Sequence, residues 1–425
     1  MRRFGPALEE RDFRLWWLAL LGMGTSLQML ELVIGWQVYA LRRSPLDLGW
    51  IGLAEFVPLF VLALPAGHLA DRVPRRLIFA GALLLGAGVG VGLALISAEG
   101  ATQVWAYLGF AVGAGICMAL GSPAARAMPP TLVSLELLPS AMTLRSIASQ
   151  AGQVVGPALG GLIYGVSPVV VYLIASGWCL LAFVCVLAMH PRPAAEVAAV
   201  DDEARRTASL QSVLEGLRFV GRTQILLGAI LLDLLAVLFG GAVALLPVFA
   251  RSILHVGATG LGVLRAAPAI GALLAAAFLT RRPLGGRAGR TLLIVVGLYG
   301  ASIIVFGLSR VFWLSLLALG VSGFVDLYSM NIRSTTVALA TPDRLRGRVN
   351  AVEMVFISAS NQLGAFESGL AAYLVGTVPA VVGGGAITIL LAITWRQVFP
   401  ALAEVDRLEH LQPQELSRPP VELVA

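Results

Sequence analysis

Several charged side chains lie inside apolar stretches of about 20 residues, where charged residues are rare. Glu31, Asp233 and Asp326 fall near the middle of three such stretches, and Glu55 and Arg265 lie nearer one end of two others. A charge within the hydrocarbon of a bilayer costs free energy, so each of these residues is a functional candidate by default. Because a carboxylate in a partly dry cavity can bind and release a proton, these acids predict proton exchange.

The same residues also have a structural interpretation. An acid inside a helix bundle can be hydrogen-bonded to a neighbouring helix, or paired permanently with Arg265, since intramembrane ion pairs also hold helices together. Arg265 itself needs a carboxylate partner or a water-filled cavity. The sequence leaves open which acid is that partner.

The composition indicates a polytopic membrane protein. Of the 425 residues, 58% are hydrophobic and 13% are charged, with a mean hydropathy of +0.87. The apolar share of a soluble domain is nearer about 45 to 50%. Counting stretches that are long enough to cross a bilayer predicts twelve spans, at approximately 13–41, 48–70, 77–97, 103–124, 139–165, 168–189, 219–250, 259–280, 291–309, 311–333, 349–374 and 378–397.

The arginines predict the orientation of these spans. All 30 basic residues are Arg, and most of those between spans fall in alternate loops, on the side that holds both termini. The loops of the opposite side hold Arg42, Arg43, Arg251 and Arg310. Because loops rich in positive charge stay in the cytoplasm, we expect a multi-pass protein of the plasma (inner) membrane with both termini cytoplasmic.

The spans fall into two groups of six. We expect a first bundle at 1–189, a polar cytoplasmic linker at 190–218, a second bundle at 219–397 and a cytoplasmic tail at 398–425. Within the linker, Ser209 to Arg218 has leucines at helical spacing, which predicts a short surface helix leading into span seven. At an offset near 208 residues, Gly156 and Gly161 align with Gly364 and Gly369, which indicates two related halves.

A charged turn from Gly67 to Arg76 separates spans two and three and reads Gly-His-Leu-Ala-Asp-Arg-Val-Pro-Arg-Arg. It resembles the loop 2-3 signature of the major facilitator superfamily, from which it departs where Pro74 replaces the usual Gly. The resemblance implies an all-α fold of twelve transmembrane helices in two pseudo-symmetric six-helix bundles, with a site at their interface. The residues that match this signature are Gly67, Leu69, Asp71, Arg72, Arg75 and Arg76.

Two further motifs resemble parts of the same superfamily. Span five carries small residues on one face beside a proline, and this pattern resembles the antiporter signature of that span; close helix packing is the alternative explanation. The loop from Thr341 to Asn350 resembles that of the branch containing siderophore exporters of the enterobactin-exporter type and macrolide-type drug exporters. The residues of the span-five face are Gly152, Gly156, Pro157, Gly160 and Gly161.

The resemblance also implies roles for particular residues. Spans one, seven and ten border the central cavity in this superfamily, so Glu31, Asp233 and Asp326 are the first candidates for proton coupling. A carboxylate is favoured beside the N-terminus of a helix. We therefore expect Asp71 to meet the start of span eleven near Arg346 and Arg348 and to close the cytoplasmic side. The residues of this predicted gate are Gly67, Asp71, Arg72, Arg75, Arg76, Arg346 and Arg348.

These observations predict a secondary active transporter that exports a small amphipathic organic molecule, of the drug or siderophore kind, in exchange for protons by alternating access. Proton-coupled uptake is an alternative, and a membrane receptor or scramblase without ion coupling is another. No enzyme motif or metal-ligand spacing is present, and no basic stripe interleaved with aromatic residues suggests nucleic acid. We expect no cofactor and no metal; the expected partners are the substrate, protons and the lipid bilayer, and the expected state is a monomer.

Overall fold

The structure is a computed structural model that describes residues 5–190, 210–281, 286–408 and 411. The side chains of residues 63, 64, 66–68, 70, 71 and 210–213 are not part of that description. The described chain consists of helices and their connections, and the long helices are α1 (Arg11–Arg42), α2 (Pro45–Arg72), α3 (Arg75–Ala98), α4 (Val104–Arg126), α5 (Leu138–Tyr164), α6 (Pro168–Leu187), α7 (Leu210–Arg222), α8 (Gln224–Gly240), α9 (Gly257–Arg281), α10 (Ala288–Leu308), α11 (Phe312–Ala340), α12 (Asp343–Val375) and α13 (Thr377–Val398).

Ten helices of the described chain are long and apolar enough to cross a membrane, counting Gln224–Ile253 as one. Helices α5, with 27 residues, and α12, with 33 residues, are also long enough to cross but are more polar, and α12 carries Glu353, Gln362 and Glu367. The prediction of an all-α polytopic membrane protein is confirmed. Each of these two more polar helices packs against a helix of the opposite half of the molecule.

The helices pack as two groups, which we call the first half (α1–α6) and the second half (α8–α13). In the first half, α1 packs on α5 and α6, and α3 packs on α4 and α6; in the second half, α9 packs on α11, and α10 on α11 and α13. The main contacts between the halves join α2 to α12 and α5 to α9. We call the end of the molecule that holds the α1–α2 connection the Arg43 end, and the opposite end the Pro74 end.

Glycines that align between the halves make equivalent contacts. A Cβ built on Gly161 of α5 would lie 2.8 Å from the Cα of Gly262 on α9, and one built on Gly369 of α12 would lie 2.7 Å from the Cα of Gly49 on α2. Only a residue without a side chain permits such an approach of two backbones. These paired contacts, both toward the Arg43 end, agree with the internal repeat found in the sequence.

Span seven is broken, contrary to the continuous stretch predicted at 219–250. Helix α8 ends at Gly240, and short helical turns at Ala242–Leu245, Leu246–Val248 and Phe249–Ile253 complete the crossing, the last of them a π-helix. The carbonyls freed by the break are satisfied by side chains: the Tyr299 hydroxyl donates to the Gly240 oxygen at 3.1 Å, and the Ser368 hydroxyl donates to the Gly241 oxygen at 3.2 Å. Such bonds make a break tolerable within the membrane.

Three predicted boundaries need correction. Residues 219–222 belong to α7, not to span seven. The charged turn is shorter than expected, because α2 continues through Arg72 and α3 begins at Arg75. The start of the predicted tail is ordered: Phe399, Leu402 and Leu408 are buried against the second half. The linker residues 191–209 and the last residues of the tail lie outside the described chain.

Candidate functional site

Two separate clusters hold most of the charged residues that the described structure places inside the spans. The first, which we call the interface cluster, consists of Glu31, Glu55, Arg265 and Gln362. Arg265 of α9 forms an ion pair with Glu31 of α1, so the pair joins the second half to the first. The Gln362 amide of α12 donates to the Glu55 carboxyl of α2 at 3.2 Å, which is a second link between the halves.

Close helix contacts place Glu55 beside the other half. A Cβ built on Gly52, one turn before Glu55, would lie 2.7 Å from the Cβ of Ala365 on α12. On the opposite side of α2, Gly115 of α4 approaches the Glu55 backbone. Glu55 is buried between these helices, where it interacts electrostatically with both Glu31 and Arg265. The interface cluster therefore holds two carboxyls and one guanidinium.

The second cluster lies within the second half and consists of Asp233, Asp326, Arg333 and Glu353. Arg333 of α11 forms an ion pair with Asp233 of α8, and its Nη2 lies 4.0 Å from the Asp326 Oδ1 on its own helix. Glu353 of α12 interacts electrostatically with Arg333 and Asp233. This second-half cluster holds three carboxyls and one guanidinium, so its acids outnumber its bases.

A pocket opens at the second-half cluster between α8, α10 and α11. Acidic, basic and hydroxyl groups meet apolar side chains in it. Its cavity volume of about 10 Å³ has room for about one water molecule, which suits proton exchange but not an organic substrate. Its lining residues are Asp233, Ala236, Val237, Val296, Tyr299, Asp326, Ser329 and Arg333.

The structure divides the predicted charged residues between the two clusters, and this grouping could not be read from the sequence. Glu31, Glu55 and Arg265 lie in the interface cluster, whereas Asp233 and Asp326 lie in the second-half cluster. The partner of Arg265, left open by the sequence, is Glu31.

Sequence reasoning missed Arg333 because it ended span ten at that residue. Helix α11 continues to Ala340, so Arg333 lies about two turns inside it. The signal was available: the residues from Val337 to Ala340 are apolar again, and Pro342 is the next residue that stops a helix.

The span-five glycines pack α5 against two helices. Cβ atoms built on Gly152 and Gly156 would meet the α1 backbone at Gly24 and Thr25, within the first half. Gly160 faces Met29 of α1, and Gly161 faces α9 of the second half. The Pro157 oxygen lies against Gly262. This face thus serves packing inside the first half and contact between the halves at once.

At the Pro74 end, basic residues of the predicted gate bind helix ends. Arg75 donates to the Ala127 oxygen at 3.2 Å, and Arg76 donates to the Val186 oxygen at 2.9 Å and to the Leu187 oxygen. The carbonyls at the end of a helix are favourable partners for a cation. These arginines therefore fix the ends of α4 and α6, a role that the sequence did not suggest.

The remaining gate residues have partners near the start of α12. Arg346 pairs with Asp343 at 2.7 Å, and Arg348 pairs with Glu215 of α7 at 2.5 Å. Arg72 is exposed. The Asp71 side chain and the surroundings of Gly67 lie outside the described structure.

At the Arg43 end, a group of aromatic and polar residues joins α1 to the π-helical turn of span seven. The Tyr39 and Ser252 hydroxyls share a hydrogen bond of 2.8 Å. The Arg251 guanidinium lies over the Trp36 ring, 5.3 Å from its centre, which is a cation–π contact. We call these four residues the α1–π latch. The side chains of two consecutive residues of the π-helical turn, Arg251 and Ser252, contact α1. Turns of this kind are frequent at functional sites.

Two six-helix halves that meet at paired glycines, with charged clusters between and within them, define a membrane transporter. Solved transporters share this fold. A bacterial homologue of the human lysosomal transporter Spinster, inward-facing and occupied, has a TM-score of 0.69 and 15% identity, covering 92% of this chain and 97% of that one. The xylose transporter XylE from E. coli, inward open, has a TM-score of 0.69 and 14% identity, covering 94% and 99%.

The chain belongs to the major facilitator family described as transmembrane secretion effector, whose sequence profile matches residues 3–424. This membership confirms the resemblance seen in the sequence and the prediction of a transporter, not an enzyme. The enterobactin exporter EntS of Citrobacter koseri is 27% identical over 389 residues, which cover 89% of this chain and 89% of the exporter.

Proposed function

We propose that this protein is a secondary active transporter that exports a small amphipathic organic molecule, of the siderophore or drug kind, in exchange for protons. The halves 1–189 and 219–397 act as two bodies that rock about the interface cluster. The protein works as a monomer in the inner membrane, and the Pro74 end and both termini face the cytoplasm.

The observation that carries this proposal is the Arg265–Glu31 ion pair. It links the two halves inside the membrane, where a charge is stable only with a partner or with water. When the halves separate, this pair must break or rearrange, so a proton or a charged substrate group has to compensate Glu31. The position of the pair thus couples ion binding to the relative position of the halves.

The excess of acids supports the same mechanism. In the second-half cluster, Arg333 can neutralise one of Asp233, Asp326 and Glu353, and the remaining carboxyls are free to bind protons. In the interface cluster, Arg265 faces both Glu31 and Glu55. The excess carboxyls supply the proton-binding groups that coupling requires.

Two observations support export and the gate. The relatives that match nearly the whole chain are named as exporters of enterobactin, and the span-five face resembles the antiporter signature while it also packs α5 on its neighbours. We propose that Asp71 closes the Pro74 end by meeting the start of α12 near Arg346 and Arg348. Arg348 is held there by Glu215, so the linker helix α7 is tied to the gate.

Inverted membrane vesicles provide the test. We expect a compound from a panel of dyes, macrolides and siderophores, enterobactin included, to accumulate in the vesicles while protons leave them. A protonophore should abolish that accumulation. Accumulation of the compound that persists in the presence of the protonophore contradicts proton coupling. Movement of the compound out of the vesicles together with protons supports the uptake alternative.

Neutralising the acids separates coupled transport from a receptor or scramblase. The triple variant Glu31→Gln, Asp233→Asn and Asp326→Asn should lose driven transport, whereas an uncoupled protein should tolerate it. Glu99→Gln is a suitable control, because Glu99 is an exposed acid outside the spans. Equal loss in both variants would show that the effect is not specific to the clusters.

A further inference from the structure

The two aspartates beside Arg333 are not equivalent. Asp233 is in direct ion-pair contact with the guanidinium, and 16% of its side chain is exposed. Asp326 lies 4.0 Å from the same guanidinium, and 52% of its side chain is exposed. Both aspartates line the pocket, but Asp233 is bound to the guanidinium and mostly enclosed, whereas Asp326 is held less tightly and about half exposed.

We propose that Arg333 is a positioning residue that holds Asp233 as a fixed counter-ion and thereby leaves Asp326 as the acid that exchanges the proton. This inference rests on the proposed proton coupling and assigns it to one carboxyl of the second-half cluster. Asp233 then acts indirectly, by keeping the Arg333 charge away from Asp326.

The burial of Arg333 explains why it needs a fixed partner. Its side chain is 9% exposed, and its Nε atom is buried without a hydrogen bond. An unpaired guanidinium at this depth would be costly. If Asp233 lost its charge, the nearest replacement partner would be Asp326, whose Oδ1 is already 4.0 Å away. An ion pair with Arg333 would then keep Asp326 ionised and block proton exchange.

The other groups around Asp326 do not compete for this role. Tyr299 of α10 interacts electrostatically with Asp326 and Asp233, but its hydroxyl donates to the Gly240 oxygen at the break in span seven. Glu353 of α12 faces Arg333 and Asp233. Of the two aspartates that line the pocket, Asp326 is therefore the one whose side chain is about half exposed and lies near Arg333 without direct contact.

Paired neutral variants test the assignment. Asp233→Asn should reduce proton-driven transport by about tenfold or more, because the released Arg333 captures Asp326. Adding Arg333→Gln removes both charges of the fixed pair and should restore driven transport to within a few fold of wild type. Asp326→Asn should abolish driven transport, and adding Arg333→Gln to it should restore nothing.

Labelling with a hydrophobic carbodiimide, which reacts with protonated carboxyls, gives a readout independent of transport. Mass spectrometry of the purified protein should show more label on Asp326 than on Asp233. In Asp233→Asn the Asp326 label should fall, and in Asp233→Asn with Arg333→Gln it should return. If the Asp233–Arg333 pair has only a structural role, these variants should change the stability of the protein. The Asp326 label should then not fall in Asp233→Asn and return in the double variant.

Two results would overturn the assignment. One is driven transport that survives Asp326→Asn, and the other is a folded Asp233→Asn, Arg333→Gln double variant that stays inactive and unlabelled at Asp326. If the wild-type protein itself moves no protons, the proposed function fails instead. The double variant guards against simple misfolding, because it leaves no unpaired charge from the fixed pair.

Discussion

Gly161 of α5 and Gly262 of α9 lie backbone against backbone, so that the first and second halves touch without an intervening side chain. The equivalent pair, Gly369 and Gly49, does the same between α12 and α2. Four glycines thus form two symmetry-related contacts that close the Arg43 end. The alternating access that we propose would separate these contacts in the other state, so substitutions at these glycines should shift the conformational equilibrium.

Gly161→Ala should destabilise the state in which the two halves are in contact at the Arg43 end. The new methyl group would meet the Gly262 backbone, and overpacking of this kind costs about 1–3 kcal/mol. Spin labels at the exposed positions Arg43 and Arg310, one in each half, should report a longer distance in a larger fraction of molecules.

Gly177→Ala on α6 is the matched control, because a Cβ built on Gly177 meets nothing within 4 Å. The control should keep the wild-type distance distribution. If Gly161→Ala also keeps it, the glycine contact does not hold the Arg43 end closed.

Removing one partner of the Arg265–Glu31 pair should lower the thermal stability of the protein more than removing both partners. Arg265→Gln leaves Glu31 without its cation, and breaking a buried pair costs about 3–5 kcal/mol in soluble proteins. We expect a smaller loss here, because 39% of the Glu31 side chain is exposed. Thermal stability in detergent should fall in Arg265→Gln and recover in Arg265→Gln with Glu31→Gln.

Proton-driven transport should stay low in that double variant, since the ion pair that links the movement of the two halves to charge is gone. A double variant that is stable and fully coupled would assign the pair a structural role only. A double variant less stable than the single one would contradict the ion pair itself.

The positions of the intramembrane acids were predictable, but their partners were not. Hydropathy places Glu31, Asp233 and Asp326 within spans because the apolar stretches around them are long. Which acid binds Arg265 depends on how α1 and α9 are rotated and packed, and a single sequence carries no direct record of that. The same limit hid the α1–π latch, whose residues come from distant parts of the chain.

Local chemistry explains two misplaced boundaries. The tandem glycines Gly240 and Gly241 mark the break in span seven. Because glycine also occurs in unbroken membrane helices, hydropathy alone predicts one continuous helix here. The polar residues after Gly67 predict a turn that is longer than the observed one, because charged residues can also form the last turns of a helix. Helix α2 instead continues through Arg72 until Pro74 stops it.

Tyr39→Phe should open the Arg43 end to a smaller extent than Gly161→Ala. It removes one hydrogen bond, to Ser252, and leaves the ring in place. A typical bond of this kind is worth about 1 kcal/mol, which corresponds to about a fivefold shift between two states. The Arg43 and Arg310 labels should detect that shift.

Tyr107→Phe serves as the comparison, because the Tyr107 hydroxyl bonds to the Ala101 oxygen within the first half. Its distance distribution should match wild type. If Tyr39→Phe and Tyr107→Phe give the same distance distribution, the α1–π latch does not contribute to closing the Arg43 end.

Asp71→Asn should reduce transport while leaving membrane insertion intact, if Asp71 meets the start of α12 as proposed. Asp343→Asn is the control at the same helix end: its pair with Arg346 is largely exposed, and exposed pairs contribute about 0–1 kcal/mol. Transport rates and the amount of protein in the membrane should be measured together. Normal transport by Asp71→Asn would exclude the proposed closure.

The C-terminal segment should stabilise the second half by capping α10. The Arg287 N–H donates to the Asp406 carboxyl at 2.8 Å, and the Ala288 N–H donates to the Asp406 backbone oxygen at 2.8 Å. The first N–H groups of a helix have no partner within it, and losing a capping side chain costs about 0.5–2 kcal/mol. Asp406→Ala should therefore lower the melting temperature in detergent, whereas Asp406→Asn, which keeps a carbonyl oxygen at the same place, should lower it less. Because the backbone bonds remain in both variants, transport should persist at temperatures well below melting, and equal melting of Asp406→Ala and wild type would show that the carboxyl does not contribute to the cap.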